Sequence, residues 1–311
     1  MIEREPSSTE RERRLFYLKR FQLRPTQPAG GILLKLSHKS ALILRGGGMR
    51  SAHGAGFAYA LGSILKIQNP DMVIGSSGSA ASALCYAAQS EYQCLKRVWM
   101  ECLSTSKFLS YMRLTRVMDV DYLIDSVFKK EALLAVVALE KSQVPYYISI
   151  VDAETGIARF ITRQDRVDPF ELLRASKALP LLYRKKVWIL GREYIDGAIG
   201  QLPQNEIDLA VANGSTKIVF VDDSPQRTPF GKLAMFIYAL STSKGLRRRI
   251  LHDLFTERTY IVPDGVELLY IQRKRMPVSI MGRSKKKLAD TFELGVQDAL
   301  KYQKRLEALL K

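Results

Sequence analysis

Cysteine is scarce: Cys85, Cys94 and Cys102 are the only three in 311 residues. They fall within 18 residues of one another and match no metal-ligand spacing. An odd, sparse count argues against a disulfide framework and fits a reducing compartment. The three read as thiols on buried helix faces. Long apolar runs are lacking too, and none approaches the roughly 20 residues that a transmembrane helix needs. The first residues, MIEREPSSTERERRLFYLKRF, mix acids with bases and have no apolar stretch, which excludes a secretory signal. No acidic loop has calcium-ligand spacing, and neither an internal repeat nor a low-complexity tract is present. These absences predict a cytoplasmic protein, soluble when first made and able to lie peripherally on a membrane, without a metal or organic cofactor.

What is abundant is positive charge, a formal +17. Residues 1–39 carry nine Lys/Arg and four Asp/Glu, and residues 226–311 carry eighteen and eight. The 186 residues between are close to neutral, with twenty-one bases and nineteen acids. Three domains of composition follow: a charged N-terminal extension at 1–39, a core at 40–225, and a basic C-terminal region at 226–311 that completes the same domain with a last strand and helix. The triplets Arg247–Arg249, Arg273–Arg275 and Lys285–Lys287 suit an anionic membrane surface. The same charge would attract nucleic acid, which is the less favoured partner, or would simply be solvated.

Short apolar runs alternate with helical patterns. Ala41–Leu44, Met72–Ile74, Tyr146–Val151, Ile157–Ile161, Lys217–Val221 and Val266–Gln272 read as strands, and Val187–Leu190 with Glu193–Ile195 as a hairpin. Residues 51–66, Ala80–Ala88, Asp168–Ala178 and Ser284–Leu310 read as helices, with a mostly helical stretch up to about residue 140. This alternation predicts an α/β fold with a mostly parallel central sheet flanked by helices.

Three motifs carry chemistry. Gly46-Gly47-Gly48-Met49-Arg50 lies between a strand and a helix, where uncovered N–H groups make an anion site. The P-loop ending of Gly-Lys-Ser/Thr is missing, so an oxyanion hole, a phosphate cradle or a flexible turn remains. Val73-Ile74-Gly75-Ser76-Ser77-Gly78-Ser79-Ala80 is strand, tight turn and small-residue helix, the pattern of a nucleophile elbow with Ser77 at its tip. Tyr194-Ile195-Asp196-Gly197-Ala198 puts an aspartate at a strand end, either a plain Asp-Gly turn or a catalytic group.

Taken together and in this order, the three motifs resemble the patatin-like phospholipase family. Its pattern is Gly-Gly-Gly-x-Arg/Lys, then Gly-x-Ser-x-Gly, then Asp-Gly-Gly/Ala. Ala175-Ser176-Lys177-Ala178-Leu179-Pro180 is similar to the family's Ala-Ser-x-Ala-x-Pro segment. The resemblance covers roughly residues 40–222 and departs from the pattern at Ser79, where the family has glycine. It implies a patatin-like three-layer α/β/α fold and a Ser77–Asp196 dyad that hydrolyses an acyl ester of a phospholipid or lysophospholipid. Glycine-loop N–H groups within Gly46, Gly47 and Gly48 would hold the oxyanion, and Arg50 would steady that loop or meet a lipid phosphate. Gly75, Gly78 and Ser79 would shape the elbow, and Gly197 and Ala198 would follow the general base.

Two other readings compete. His252 after Ser77 and Asp196 has the chain order of a Ser-Asp-His triad, although it falls in a basic amphipathic helix. His38 precedes the fold, and His53 at a helix start reads as a surface or satisfied residue. The second alternative is a catalytically silent protein of the same fold that binds anionic membranes, which Ser79 favours.

Overall fold

A computed structural model describes residues 39–311, apart from 90, 91, 114, 115, 133, 226, 227 and 257–259. The N-terminal extension therefore lies, but for Lys39, outside the described residues. Among the described residues, eight strands form one sheet: β1 (Lys39–Arg45), β2 (Met72–Ser76), β3 (Tyr146–Asp152), β4 (Ala158–Ile161), β5 (Val187–Ile189), β6 (Arg192–Asp196), β7 (Ser215–Asp222) and β8 (Glu267–Gln272). β3, β2, β1, β7 and β8 run parallel in that spatial order, while β4, β5 and β6 add antiparallel pairs.

The central strands are apolar on both faces, as parallel strands covered on both sides must be. Leu42 and Leu44 of β1 point into one core with Phe57, Leu84 and Phe292. Ala41 and Ile43 point into the other with Ile207, Ala239 and Ile250. The first layer contains α1 (Ala52–Tyr59), α2 (Ala80–Ala88) and α9 (Lys285–Lys301). The second contains α6 (Gln204–Ala212), α7 (Pro229–Leu240) and α8 (Lys244–Phe255). The remaining helices are α3 (Gln93–Arg97), α4 (Val136–Lys141), α5 (Pro169–Ser176) and α10 (Gln303–Leu310). The result is the expected α/β architecture, a mixed, mostly parallel sheet between helices. β8 pairs with β7, and α9 packs across α1, so the C-terminal residues build part of the same sheet and the same layer.

The register of β3 positions the site. Ser76, the last residue of β2, lies opposite Ser149, and Asp196, the last residue of β6, lies opposite Ile150. β4 occupies the other edge of β3. β2 and β6 thus meet end to end along one edge, and the residue leaving β2, Ser77, arrives beside Asp196.

Several helices differ from their sequence patterns. The helix expected at 51–66 becomes a π-turn at Ala60–Ile64. The stretch up to 140 is broken into α3, α4 and π-helical turns at Val98–Cys102 and Tyr122–Glu131. The helix expected at Ser284–Leu310 is two, divided at Tyr302 (φ −97°, ψ 12°). That turn redirects the chain so that Leu306, Leu309 and Leu310 of α10 are buried. Asp168 does cap α5, accepting from the N–H groups of Phe170 and Glu171 ahead of Pro169 at the first helical position.

Candidate active site

Ser77 follows β2 directly and opens a single 3-10 turn, Ser77–Ser79, that leads into α2. Its φ is +52°, a left-handed conformation that costs a non-glycine residue strain and occurs at sites where the surrounding fold enforces it. Small neighbours make the turn possible. A Cβ on Gly75 would lie 2.5 Å from the Ala83 Cβ, so glycine lets β2 and α2 touch. A Cβ on Gly46 would lie 2.5 Å from the Gly78 nitrogen, so the glycine loop runs against the elbow. The Ser77 N–H donates to Ser176 Oγ at 3.1 Å.

The Ser77 hydroxyl donates to Asp196 Oδ2 at 2.7 Å, and the Ala198 N–H donates to Asp196 Oδ1 at 2.9 Å. Gly197 donates its N–H to Ser176 O and accepts from Ser149 Oγ through its carbonyl, which fixes the turn after the aspartate. Asp196 is fully buried. Burial pushes its carboxyl up to about 6, against the opposing pull of the Ala198 N–H, the Ser77 hydroxyl and the Lys177 ammonium. A carboxylate so placed is a stronger base than one in water.

Lys177 reaches the same cluster from the end of α5. Its Nζ donates to the carbonyls of Ser77 at 2.8 Å and Gly78 at 2.9 Å. Burial lowers this ammonium to about 7, with Asp196 acting in the other direction. In the sequence, Lys177 stands inside the Ala175–Pro180 segment with no evident role. A lone lysine between Ser and Ala carries no mark in the sequence of the two carbonyls it serves, because those lie about a hundred positions away.

A pocket opens at Ser77 and Asp196. Its walls are apolar, among them Leu95, Trp99, Phe108, Met118, Leu123 and Phe128, and Gly48, Gly78 and Lys177 complete the polar end. Gly48 adopts φ +62°, which glycine takes without strain. Gly46 and Gly47 lie behind it, and the Gly47 N–H donates to Ser51 Oγ at 2.9 Å. Arg50 turns away from the pocket. Its guanidinium donates to the carbonyls of Asp223 and Arg273, tying the start of α1 to the ends of β7 and β8. Ser79 is fully buried and does not line the pocket. Among the described residues its Oγ has no hydrogen-bond partner.

The histidines are elsewhere. His252 is on the exposed face of α8 and is not part of the pocket wall. His38 lies outside the described residues. His53 is buried, not on the surface, and sits between Asp223 Oδ1 at 2.8 Å and Asp298 Oδ2 at 2.9 Å. Arg273 also bonds to both oxygens of Asp298.

The sequence pattern of the patatin-like phospholipase family matches residues 42–203. The chain belongs to this family. The match spans all three motifs. A relative in Escherichia coli (strain K12), the uncharacterized protein YjjU, is 27% identical over 216 residues, which is 66% of this chain. The chain spans about 55% of that relative's length. Among solved structures, VipD from Legionella pneumophila aligns over 84% of this chain and 67% of its own, at 13% identity and a TM-score of 0.41. A likeness that loose has no bearing on function. Among the described residues of the patatin-like chain, no helix is long and apolar enough to cross a membrane.

Proposed function

We propose that this patatin-like protein hydrolyses an acyl ester of a phospholipid or lysophospholipid through a Ser77–Asp196 dyad. The observation that carries the reading is the 2.7 Å hydrogen bond from the strained Ser77 hydroxyl to a fully buried carboxylate at the mouth of an apolar pocket. Ser77 Oγ attacks the ester carbonyl while Asp196 takes its proton. That proton passes to the departing alcohol as the acyl–oxygen bond breaks. Water then attacks the acyl-enzyme, giving its proton to Asp196, and the fatty acid leaves as Ser77 regains its hydroxyl. The apolar wall suits an acyl chain. The oxyanion falls to glycine-loop N–H groups, with Gly48 at the pocket and Gly47 available once it releases Ser51 Oγ. Arg50 steadies the loop. Lys177 holds the carbonyls of the elbow and favours the ionised form of Asp196. The substrate surface is an anionic membrane, to which the basic C-terminal region is attracted.

A short-chain nitrophenyl ester tests the chemistry apart from any membrane. Turnover by the wild-type chain that is lost in Ser77→Ala and in Asp196→Asn is the expected result. A folded wild-type protein without turnover would instead favour a silent, membrane-binding role.

A further inference from the structure

Helix α7 has a sequence, Pro229-Phe-Gly-Lys-Leu-Ala-Met-Phe-Ile-Tyr-Ala-Leu240, that belongs in a core, yet of its twelve residues only Ala239 is buried. Phe230 is 82% exposed, Leu233 55%, Ile237 59% and Leu240 54%. Their spacing of three, four and three puts them in one stripe along the helix. The helix does not need that stripe to form. Thr228 Oγ1 caps its start by accepting from Gly231 N, with Pro229 at the first position. Arg247 holds its other end, donating to the carbonyls of Ala239 and Leu240. An exposed apolar stripe on a rigidly capped helix marks a surface for something else.

The charge around it selects the partner. Residues 229–256 contain five Lys/Arg and one Asp. Lys232, Lys244, Arg248 and Arg249 are exposed, while Asp253 is buried. The α7–α8 pair also sits at the catalytic end of the sheet. Ser243 between the helices donates to the Ala153 carbonyl, just past the end of β3. A Cβ on Gly200, four residues after Asp196, would lie 3.2 Å from the Arg249 backbone.

We propose that α7 is an interfacial helix that lays Phe230, Leu233, Ile237 and Leu240 into an anionic bilayer while the bases of α8 meet the headgroups. Apolar insertion and charge attraction then act together, as in membrane-surface amphipathic helices. The proposal extends the reading of a lipid hydrolase, and its test is read without turnover. Arg247 is excluded from the headgroup contacts, because its guanidinium is spent on the end of α7.

The test uses the full chain, phosphatidylcholine vesicles with and without phosphatidylglycerol, and two variants. Phe230→Ser/Leu233→Ser/Ile237→Ser should bind mixed vesicles about a hundredfold more weakly, because three apolar side chains no longer leave water. Its melting temperature should not fall, since those side chains are exposed in the free protein. The emission that Ile237→Trp adds to the background of Trp99 and Trp188, taken as the difference from wild type, should be that of a water-exposed indole in the free protein and should shift to the blue only on mixed vesicles. Undiminished binding by the triple variant, or equal binding to neutral vesicles, would overturn the proposal. So would buried emission from the added indole in that difference spectrum of the free protein, which would mean that a second copy or another part of the chain already covers α7. A wild-type chain that binds but does not turn over esters would leave α7 standing and remove the hydrolase reading.

Discussion

Two clusters of buried ionisable groups lie at the same end of the sheet, and they are built on opposite principles. Around His53, each carboxylate has a cation in contact. Asp298 is held down to about 2, because hydrogen bonds from Arg273 and His53 outweigh the upward effect of its burial. Burial alone would lower the His53 imidazolium, but Asp223 and Asp298 override it and raise it to about 9. Asp223 also accepts from the Gly54 N–H, so the cluster is closed, and it clamps α1 to α9. Around Asp196, the contacts are a hydroxyl and an amide, and one side opens to the pocket. The first arrangement favours the charged forms of His53 and Asp298, although burial still raises the Asp223 carboxyl; the second leaves a carboxylate raised to about 6 with no cation in contact. On the proposed reading, reactivity comes from incomplete compensation of a buried charge.

The largest expected effect breaks the open cluster. Ser77→Ala should lower soluble-ester turnover by at least about a thousandfold, the scale of losing a serine nucleophile. Asp196→Asn should come close, because an amide cannot take the proton. A carboxyl raised in the folded state binds protons more tightly there than in the unfolded chain. Asp196 therefore costs stability as pH climbs from its ordinary range near 4 through about 6. Thermal melts at neutral pH should find Asp196→Asn more stable than wild type, and kcat/KM of wild type should rise with pH through about 6. A destabilised Asn variant with wild-type turnover would assign Asp196 to the structural class of His53.

The closed cluster should break the other way. His53→Gln leaves Asp223 without its cation and should cost about 3–5 kcal/mol, the usual penalty for removing one partner of a buried pair. Because the folded pKa of His53 is raised, its contribution is complete below about 6.5 and disappears as pH rises through about 9. The gap in melting temperature between wild type and His53→Gln should be widest near pH 6 and should narrow toward pH 9. A gap independent of pH would mean that His53 acts by shape alone.

Among the described residues, Lys177 is the cation that touches the open cluster. Lys177→Met keeps the aliphatic stem and removes the donors to Ser77 O and Gly78 O. Turnover should fall by about tenfold, the loss expected when a reactive group shifts slightly from its attack geometry. The acid limb of the pH profile should move upward, because the ammonium favours ionised Asp196. A fall in rate with an unmoved limb would reduce Lys177 to a brace for the turn.

What the sequence disclosed follows a physical division. Strands announce themselves as short apolar runs, and all eight of those expected lie within a residue or two of β1 to β8. Ser77 and Asp196 stand out because turn chemistry is local, although their 2.7 Å meeting depends on the register of β3. Groups that matter through distant contacts stayed hidden. His53 reads as a surface or satisfied residue, and the structure shows the second: α9 brings Asp298 to it from 245 positions away. α7 is not legible as a surface helix, since an apolar helix with only one buried residue breaks the rule that such patterns face a core. The triplet Arg247–Arg249 read as one basic face, yet Arg247 serves the end of α7.

The smallest effect expected is the most useful for excluding a histidine mechanism. His252→Ala should change soluble-ester turnover by less than about twofold, whereas a triad histidine would cost about a thousandfold or more. Ser77 already has an acceptor, Asp196, so no second base is required at its hydroxyl. His252 is exposed on α8, a helix of the layer on the far side of the sheet from the pocket's apolar wall. Bringing its ring to Ser77 would mean detaching α8, whose Leu246, Ile250 and Leu254 are buried in that layer. Losing even one such side chain from a core costs about 2–5 kcal/mol, so the rearrangement opposes itself. A thousandfold fall in His252→Ala, with the melting temperature unchanged, would require that rearrangement and would put Asp196 in the orienting role of a triad. A null effect, set beside the loss in Asp196→Asn, would leave the buried carboxylate as the sole base.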